Sequence, residues 1–348
     1  MAVHLPLAPN PVKETKETIM AVKNLLKPAS GNPIVTPIKD IVLGTYYLTN
    51  IDTDLPKIEN KIFSEDEALA AFEYHAINLK QRINAKIQGQ VLETTAGRII
   101  FNQALPQNLR FFNEETTKSG NTMNMLLERA LKSETEDEVV AMIDRIKDLG
   151  FKYARISGAT IGLFDCPLSE KREEIIKRAE KKSIEINDSY LQGLTTLGEK
   201  QRLNEALWIE ATQEVAKTTW EALDKKNPVS MIVTSGAGRG SKEQVNQVSG
   251  MRGLMIDPTG HVVELPIKSN LRLGLSAFDY FVSVRGSRKG FVDTALRTAD
   301  AGYLTRRLVD VSQDVIVREK DCGTSKGIEI TRGEENMLTT FRERLIGR

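Results

Sequence analysis

The sequence predicts an α+β fold, mainly helical, built around a long helical hairpin and one very long single helix. Three observations carry this. Residues 169–191 and 199–223 are two charge-rich helical patterns joined by Gly193-Leu194-Thr195-Thr196-Leu197-Gly198, the arrangement of an antiparallel helix pair. Residues 275–311 contain no proline and repeat apolar side chains at helical spacing through Phe278, Phe281, Val282, Val292, Ala295 and Leu296. Strand-like alternation, by contrast, is clearest in the first part of the chain, over 86–92.

Taken in order, Asn10-Pro11 followed by Ile19, Met20, Val22, Leu25 and Leu26 predicts a capped helix ended near Pro28-Ala29-Ser30-Gly31. Residues 34–47 are apolar and interrupted by Pro37 and Gly44, which fits brief strands or a helical turn. A short helix is expected over 65–77. Beyond a turn at Thr94-Thr95-Ala96-Gly97 a compact apolar pattern resumes over 98–105. An amphipathic helix follows over 136–149, with Gly150 as its stop and the small-residue stretch 156–162 as strand or loop. The hairpin comes next, either a protruding partner-binding element or a solvated packing pair. After it, 229–233 reads as a strand leading into the glycine-rich loop at 235–242.

Of the 348 residues, 40% are hydrophobic and 27% charged, which separates the chain from disordered compositions. Forty-eight basic residues stand against forty-seven acidic ones, so any basic site must be local. Two widely separated cysteines argue against a disulfide framework and for a reducing, cytoplasmic setting. No run of eighteen apolar residues is present, so no membrane partner is expected.

Candidate chemistry is sparse outside two places. The loop Ser235-Gly236-Ala237-Gly238-Arg239-Gly240-Ser241-Lys242 has the composition of a phosphate cradle. It misses both the Walker and the dinucleotide spacing, which leaves a plain turn as the simpler reading and a free-standing phosphate- or nucleic-acid-binding module as the rival one. The long helix carries the second place. Between Arg285 and Arg307 six basic residues face two acidic ones, and Thr294, Thr298, Ala301 or Gly302, and Thr305 fall on one low-relief stripe. Such a stripe suits either a base pair or a closely packed helix. Gly286, Gly290 and Gly302 each cost about 1 kcal/mol relative to alanine in a helix interior. Asp52 and Asp54 lack a third carboxylate, and His4, His75 and His261 lack a nucleophile nearby in sequence.

Four segments then become recognisable together: Gly250-Met251-Arg252-Gly253-Leu254-Met255; Glu264-Leu265-Pro266-Ile267-Lys268-Ser269-Asn270; Asp293-Thr294-Ala295-Leu296-Arg297-Thr298-Ala299; and Gly302-Tyr303-Leu304-Thr305-Arg306-Arg307-Leu308-Val309-Asp310-Val311. They resemble the beta-prime, or largest, subunit of bacterial-type DNA-directed RNA polymerase, and Pro33-Ile34-Val35-Thr36-Pro37 and Thr95-Ala96-Gly97-Arg98 fall in that family's order too. The resemblance implies an internal piece of a larger multidomain subunit. Residues 1–134 would be an α+β segment following the catalytic loop, and 135–228 a helical region with the hairpin that rims the secondary channel. The F-loop region would cover 229–274, the bridge helix 275–311, and a further segment would start at 312–348.

The family's roles carry over as expectations. Thr298 and Ala299 match positions facing the template base at the insertion site, while Arg297, Gly302, Tyr303 and Arg306 match neighbours lining nucleic acid. Arg239 matches an arginine near the incoming triphosphate, with one extra small residue before it. Gly286 and Gly290 mark a hinge, near which Leu273, Arg285 and Ser287 depart from the family's usual residues. Cys322 matches the first of four zinc ligands. The three-aspartate loop that binds magnesium is expected just before Met1 and the trigger loop beyond Arg348, so this chain alone is not expected to polymerise nucleotides. Implied partners are the beta and alpha subunits, the remainder of beta-prime, template DNA, nascent RNA, nucleoside triphosphates, and elongation factors at the hairpin.

Overall fold

The computed structural model describes residues 4–27, 31–117, 122–238, 240–316, 318–319, 321–327, 329–331 and 341–345. Its contacts divide into two units, one of Ala2–Ala159 with Thr234–Arg239 and Cys322–Arg348, the other of Thr160–Val233 with Gly240–Asp321. Helix dominates both.

The first unit opens with α1 (Pro9–Glu14), which passes into a π-helical turn over Thr15–Ile19 and a 3-10 turn over Ala21–Lys23. The expected single helix is therefore broken into three short pieces. Next come α2 (Asp40–Thr49), β1 (Ile58–Ser64), α3 (Glu65–Glu73), β2 (Ile83–Ile87), β3 (Gln90–Thr94), α4 (Ala96–Gln103), α5 (Thr122–Ser133) and α6 (Glu136–Ser157). The strand expected over 86–92 is instead a hairpin. Gln88 and Gly89 both take positive φ, turning β2 back into β3, and β1 joins β2 in parallel to complete the order β1-β2-β3. Ile83, Ala85 and Ile87 alternate inward and pack with Phe63 and Ile99.

Two corrections concern glycines. Of residues 34–47, those from Asp40 onward form not brief strands but the helix α2, longer than one turn and running straight through Gly44; and Gly150 does not stop α6, which ends only at the left-handed Gly158. The reason is the crossing of these two helices. A Cβ on Gly44 would stand 1.8 Å from the Gly150 carbonyl oxygen, and one on Gly150 would stand 2.7 Å from Ile41 Cγ2. Both glycines permit backbones to touch, and the gain from close packing outweighs their poor helix propensity. The core beside this crossing gathers Leu48, Phe101, Leu105, Leu127, Met142 and Ile146. The turn expected at Thr94-Thr95-Ala96-Gly97 is the start of α4, capped by the Thr95 hydroxyl, which accepts from the Arg98 amide.

In the second unit α7 (Arg172–Leu191) and α8 (Leu197–Glu221) form the expected antiparallel hairpin, turned by Gly193 at φ +74°. Ile175, Ile176, Trp208, Ala211, Val215 and Met251 close its base. The strand expected over 229–233 is a helix, α9 (Pro228–Ser235), with Val229 buried against Cys166, Leu223 and Val245. A short apolar run does not distinguish a buried strand from a buried helix, and here the helix prevails. α10 (Lys242–Ser249) follows, started by a capping box in which Ser241 and Gln244 satisfy each other's backbone amides. Then α11 (Ala277–Ser312) continues for 36 residues, about 54 Å, without a break at any of its three glycines. A short helix, α12 (Phe341–Leu345), which belongs to the first unit, is the last described element of the chain. No helix among the described residues is long and apolar enough to cross a membrane.

Candidate nucleic-acid interface

α11 begins at a well-made cap. The Ser276 hydroxyl accepts from the Asp279 amide at 3.1 Å, and the Asp279 carboxylate accepts from Ser269 Oγ at 2.6 Å. Partial burial alone would raise this carboxyl, but the bonds from Ser269 and Ser276 and the nearby Lys268 hold it below its ordinary range. Beyond this cap, apart from contacts around Gly286 and Lys289, the helix is largely exposed. Ser283 is its one buried residue, and Phe278, Phe281, Phe291, Leu296 and Val311 are each at least 60% exposed, far more than isolated surface apolars would require.

The sequence-predicted site residues Arg297, Thr298, Ala299, Gly302, Tyr303 and Arg306 all lie on α11 and are all exposed. The threonine stripe has a consistent chemistry. Thr294, Thr298 and Thr305 each donate their hydroxyl to the carbonyl four residues back, at 2.7–2.8 Å, so their donors are spent on the helix itself. What remains is a smooth surface able to take a flat partner without demanding a particular hydrogen bond. Arg297 and Arg306 stand 3.9 Å and 3.8 Å from Asp293 and Asp310, and both arginine side chains are at least 80% exposed, so these loose pairs leave the guanidinium groups open to an anion. Arg307 lies over the Tyr303 ring at 4.4 Å.

The two expected hinge glycines differ. A Cβ on Gly286 would stand 2.9 Å from Met255 Cε and 3.2 Å from the Ile256 carbonyl, whereas one on Gly290 meets nothing within 4 Å. Gly286 is therefore a contact notch. It receives a turn over 255–263 in which the Asp257 carboxylate accepts from the amides of Thr259, Gly260 and His261, and whose Pro258 carbonyl accepts from Lys289 Nζ at 3.1 Å. Sequence reasoning missed these supports, although the Ser276-x-x-Asp279 spacing is itself a legible helix-start signal.

Arg239 lies outside the described residues. At the loop before it, Gly236 turns with φ +73° and the Ala237 amide bonds to Ser235 Oγ at 3.3 Å. After it, Lys242 Nζ rests over the Trp220 ring at 4.7 Å, an engagement unlike that of a phosphate-binding lysine. Cys322 is exposed and carries a free thiol, and among the described residues no three His, Cys, Asp or Glu side chains gather as a metal-ligand group. The described residues by themselves form no complete site for the magnesium or the zinc that the resemblance implies.

Comparison with known proteins covers the chain nearly end to end. Residues 24–166 match the family described as RNA polymerase Rpb1, domain 3, residues 170–272 match domain 4, and residues 274–337 match domain 5. The whole chain aligns with the DNA-directed RNA polymerase subunit beta' of Caldicellulosiruptor saccharolyticus at 42% identity and with that of Desulforamulus reducens at 43%. It spans 32% and 29% of those relatives' lengths, about a third of each. With three consecutive Rpb1 domains in order and full-length similarity at this level, the chain belongs to the RNA polymerase beta' (Rpb1) family of largest subunits.

Proposed function

We propose that the chain acts within the active centre of a DNA-directed RNA polymerase, with α11 as the bridge helix that supports nucleotide addition and translocation. The observation that carries this reading is a 36-residue helix with one buried residue, a hydroxyl-satisfied threonine stripe, and open arginines beside it. In this reading Thr298 and Ala299 meet the template base, and Arg297, Gly302, Tyr303 and Arg306 line the nucleic acid. Polyanion binding by exposed guanidinium groups and tight approach to a small-residue stripe are compatible demands on one helix face. Arg239 is assigned to the incoming triphosphate, and Cys322 to a zinc site completed by ligands from outside this chain. The α7–α8 hairpin, with Leu191 and Leu194 each over 70% exposed near its turn, offers an apolar tip to elongation factors. The partners are the beta and alpha subunits, the rest of beta-prime, DNA, RNA and nucleoside triphosphates, in the cytoplasm.

Single-nucleotide addition on a preassembled scaffold tests the assignment, because DNA loading is then already complete. Replacing Thr298 with tryptophan is expected to slow addition by about tenfold or more, since misplacement of reacting groups by about 1 Å can cost on the order of a hundredfold. Unchanged addition and translocation rates would demote α11 to a packing helix.

A further inference from the structure

Arg172 opens α7 and retains 9% of its surface. Burial pulls its guanidinium below its ordinary value, with Glu173 opposing. Such a group is costly to bury unless its donors are engaged. They are engaged by backbone. Nε donates to the Gly250 carbonyl at 2.6 Å and Nη2 to the Lys268 carbonyl at 2.5 Å, so one planar fork holds two points of the chain eighteen residues apart.

Those two carbonyls stand at the root of the segment leading into α11. The Gly250 carbonyl also accepts from Asn270 Nδ2 at 3.1 Å, and the Arg252 amide bonds to the Ser269 carbonyl at 3.2 Å. Ser269 in turn holds Asp279 in the first turn of α11. We infer that Arg172 is a positioning residue for nucleotide addition, fixing the seat of the long helix's N-terminus through Gly250, Ser269 and Asp279. This rests on the proposed role of α11.

The geometry gives the tie leverage. Thr298 lies 22 residues beyond Ser276, roughly 33 Å along the axis, so a tilt of about 2° at the cap moves the stripe by about 1 Å. With one buried residue of its own, α11 depends on this cap and on the turn at 255–263 for its direction within the unit.

The test uses the purified polymerase containing this chain, with single-nucleotide addition measured across nucleotide concentrations. Arg172→Met is expected to lower the maximal rate about tenfold while leaving the half-saturating concentration within about twofold, since positions supporting a site act on its geometry. Arg172→Lys, which reaches one carbonyl, should restore part of that loss. Val215→Ala, a cavity in the same hairpin base that removes neither a donor nor an acceptor of the tie, should lower thermal stability and leave the rate within about twofold. Ser269→Ala should slow addition too, and combining it with Arg172→Met should add little, because both act on one path. A wild-type rate in Arg172→Met, equal losses in Arg172→Met and Val215→Ala, no rescue by lysine, or multiplicative losses with Ser269→Ala would each overturn the assignment. Should Arg172→Met not assemble, the Arg172→Lys and Ser269→Ala rates decide. Thr298→Trp runs in parallel: if it slows addition and the Arg172 series does not, only the positioning role fails, whereas a silent Thr298→Trp removes the reading on which it rests.

Discussion

Glycine and arginine do the most specific work at the scale of single residues, and for opposite reasons. Gly44 and Gly150 serve by lacking a side chain, because the α2–α6 crossing leaves no room for a Cβ. Gly44→Ala is accordingly expected to destabilise the first unit by an amount at or above the top of the about 1–3 kcal/mol range of overpacked cores, since the obstacle is a carbonyl rather than a flexible side chain. Chemical denaturation monitored by circular dichroism measures it, and an unchanged midpoint would show that the helices can separate at no cost. Arg98 serves by reach. It is 6% exposed and donates to the Thr49 carbonyl at 2.9 Å and to the Asn113 carbonyl at 2.6 Å, joining α2, α4 and the segment after α4. The motif containing Arg98 is legible in the sequence; its acceptors are not, because they lie 49 and 15 residues away.

Among the elements, α11 is the one whose sequence and structure agree in extent and differ in meaning. Its length follows from the proline-free periodic pattern, and its N-terminus from Ser276 and Asp279. Its glycines read alike in sequence and are unlike in the fold. Gly290→Ala should raise helix stability by about 1 kcal/mol, alter elongation rate and leave assembly unaffected, because a Cβ there meets open space. Gly286→Ala should instead displace Met255 and loosen the turn at 255–263, which protease cleavage near Pro258–His261 would detect. Identical behaviour of the two variants would contradict the notch. Conversely, the wrong expectation over 229–233 has a plain cause, since a five-residue run with four apolar side chains is too short to reveal whether the period is two or 3.6.

For the whole molecule, the exposed surface of α11 and the lack of a complete ligand set among the described residues are both what the proposed role, played against other polypeptides, would require. With two cysteines and three histidines in total, and Cys322 exposed and unpaired, the isolated chain should hold no stoichiometric zinc. Elemental analysis after removal of loosely bound metal checks this, and one tightly held zinc per chain would refute the assignment of Cys322 to a four-ligand site shared with residues elsewhere. The exposed apolar residues along α11 form a surface that, in the proposed reading, other parts of the polymerase cover.

Local chemistry alone settled the helical class, the hairpin, the span of the long helix and its positive charge, because periodicity, proline exclusion and capping act over a few residues and leave a signature at that range. Family membership was legible for a related reason, as runs of adjacent residues identify a lineage without any knowledge of their contacts. The rest belongs to tertiary structure. Gly150 continues a helix instead of ending one, Gly286 is a notch while Gly290 is free, and Arg172 reaches across 78 and 96 residues to two carbonyls. Each depends on which backbones approach one another, and sequence separation hides that approach until the packed chain brings the distant groups together.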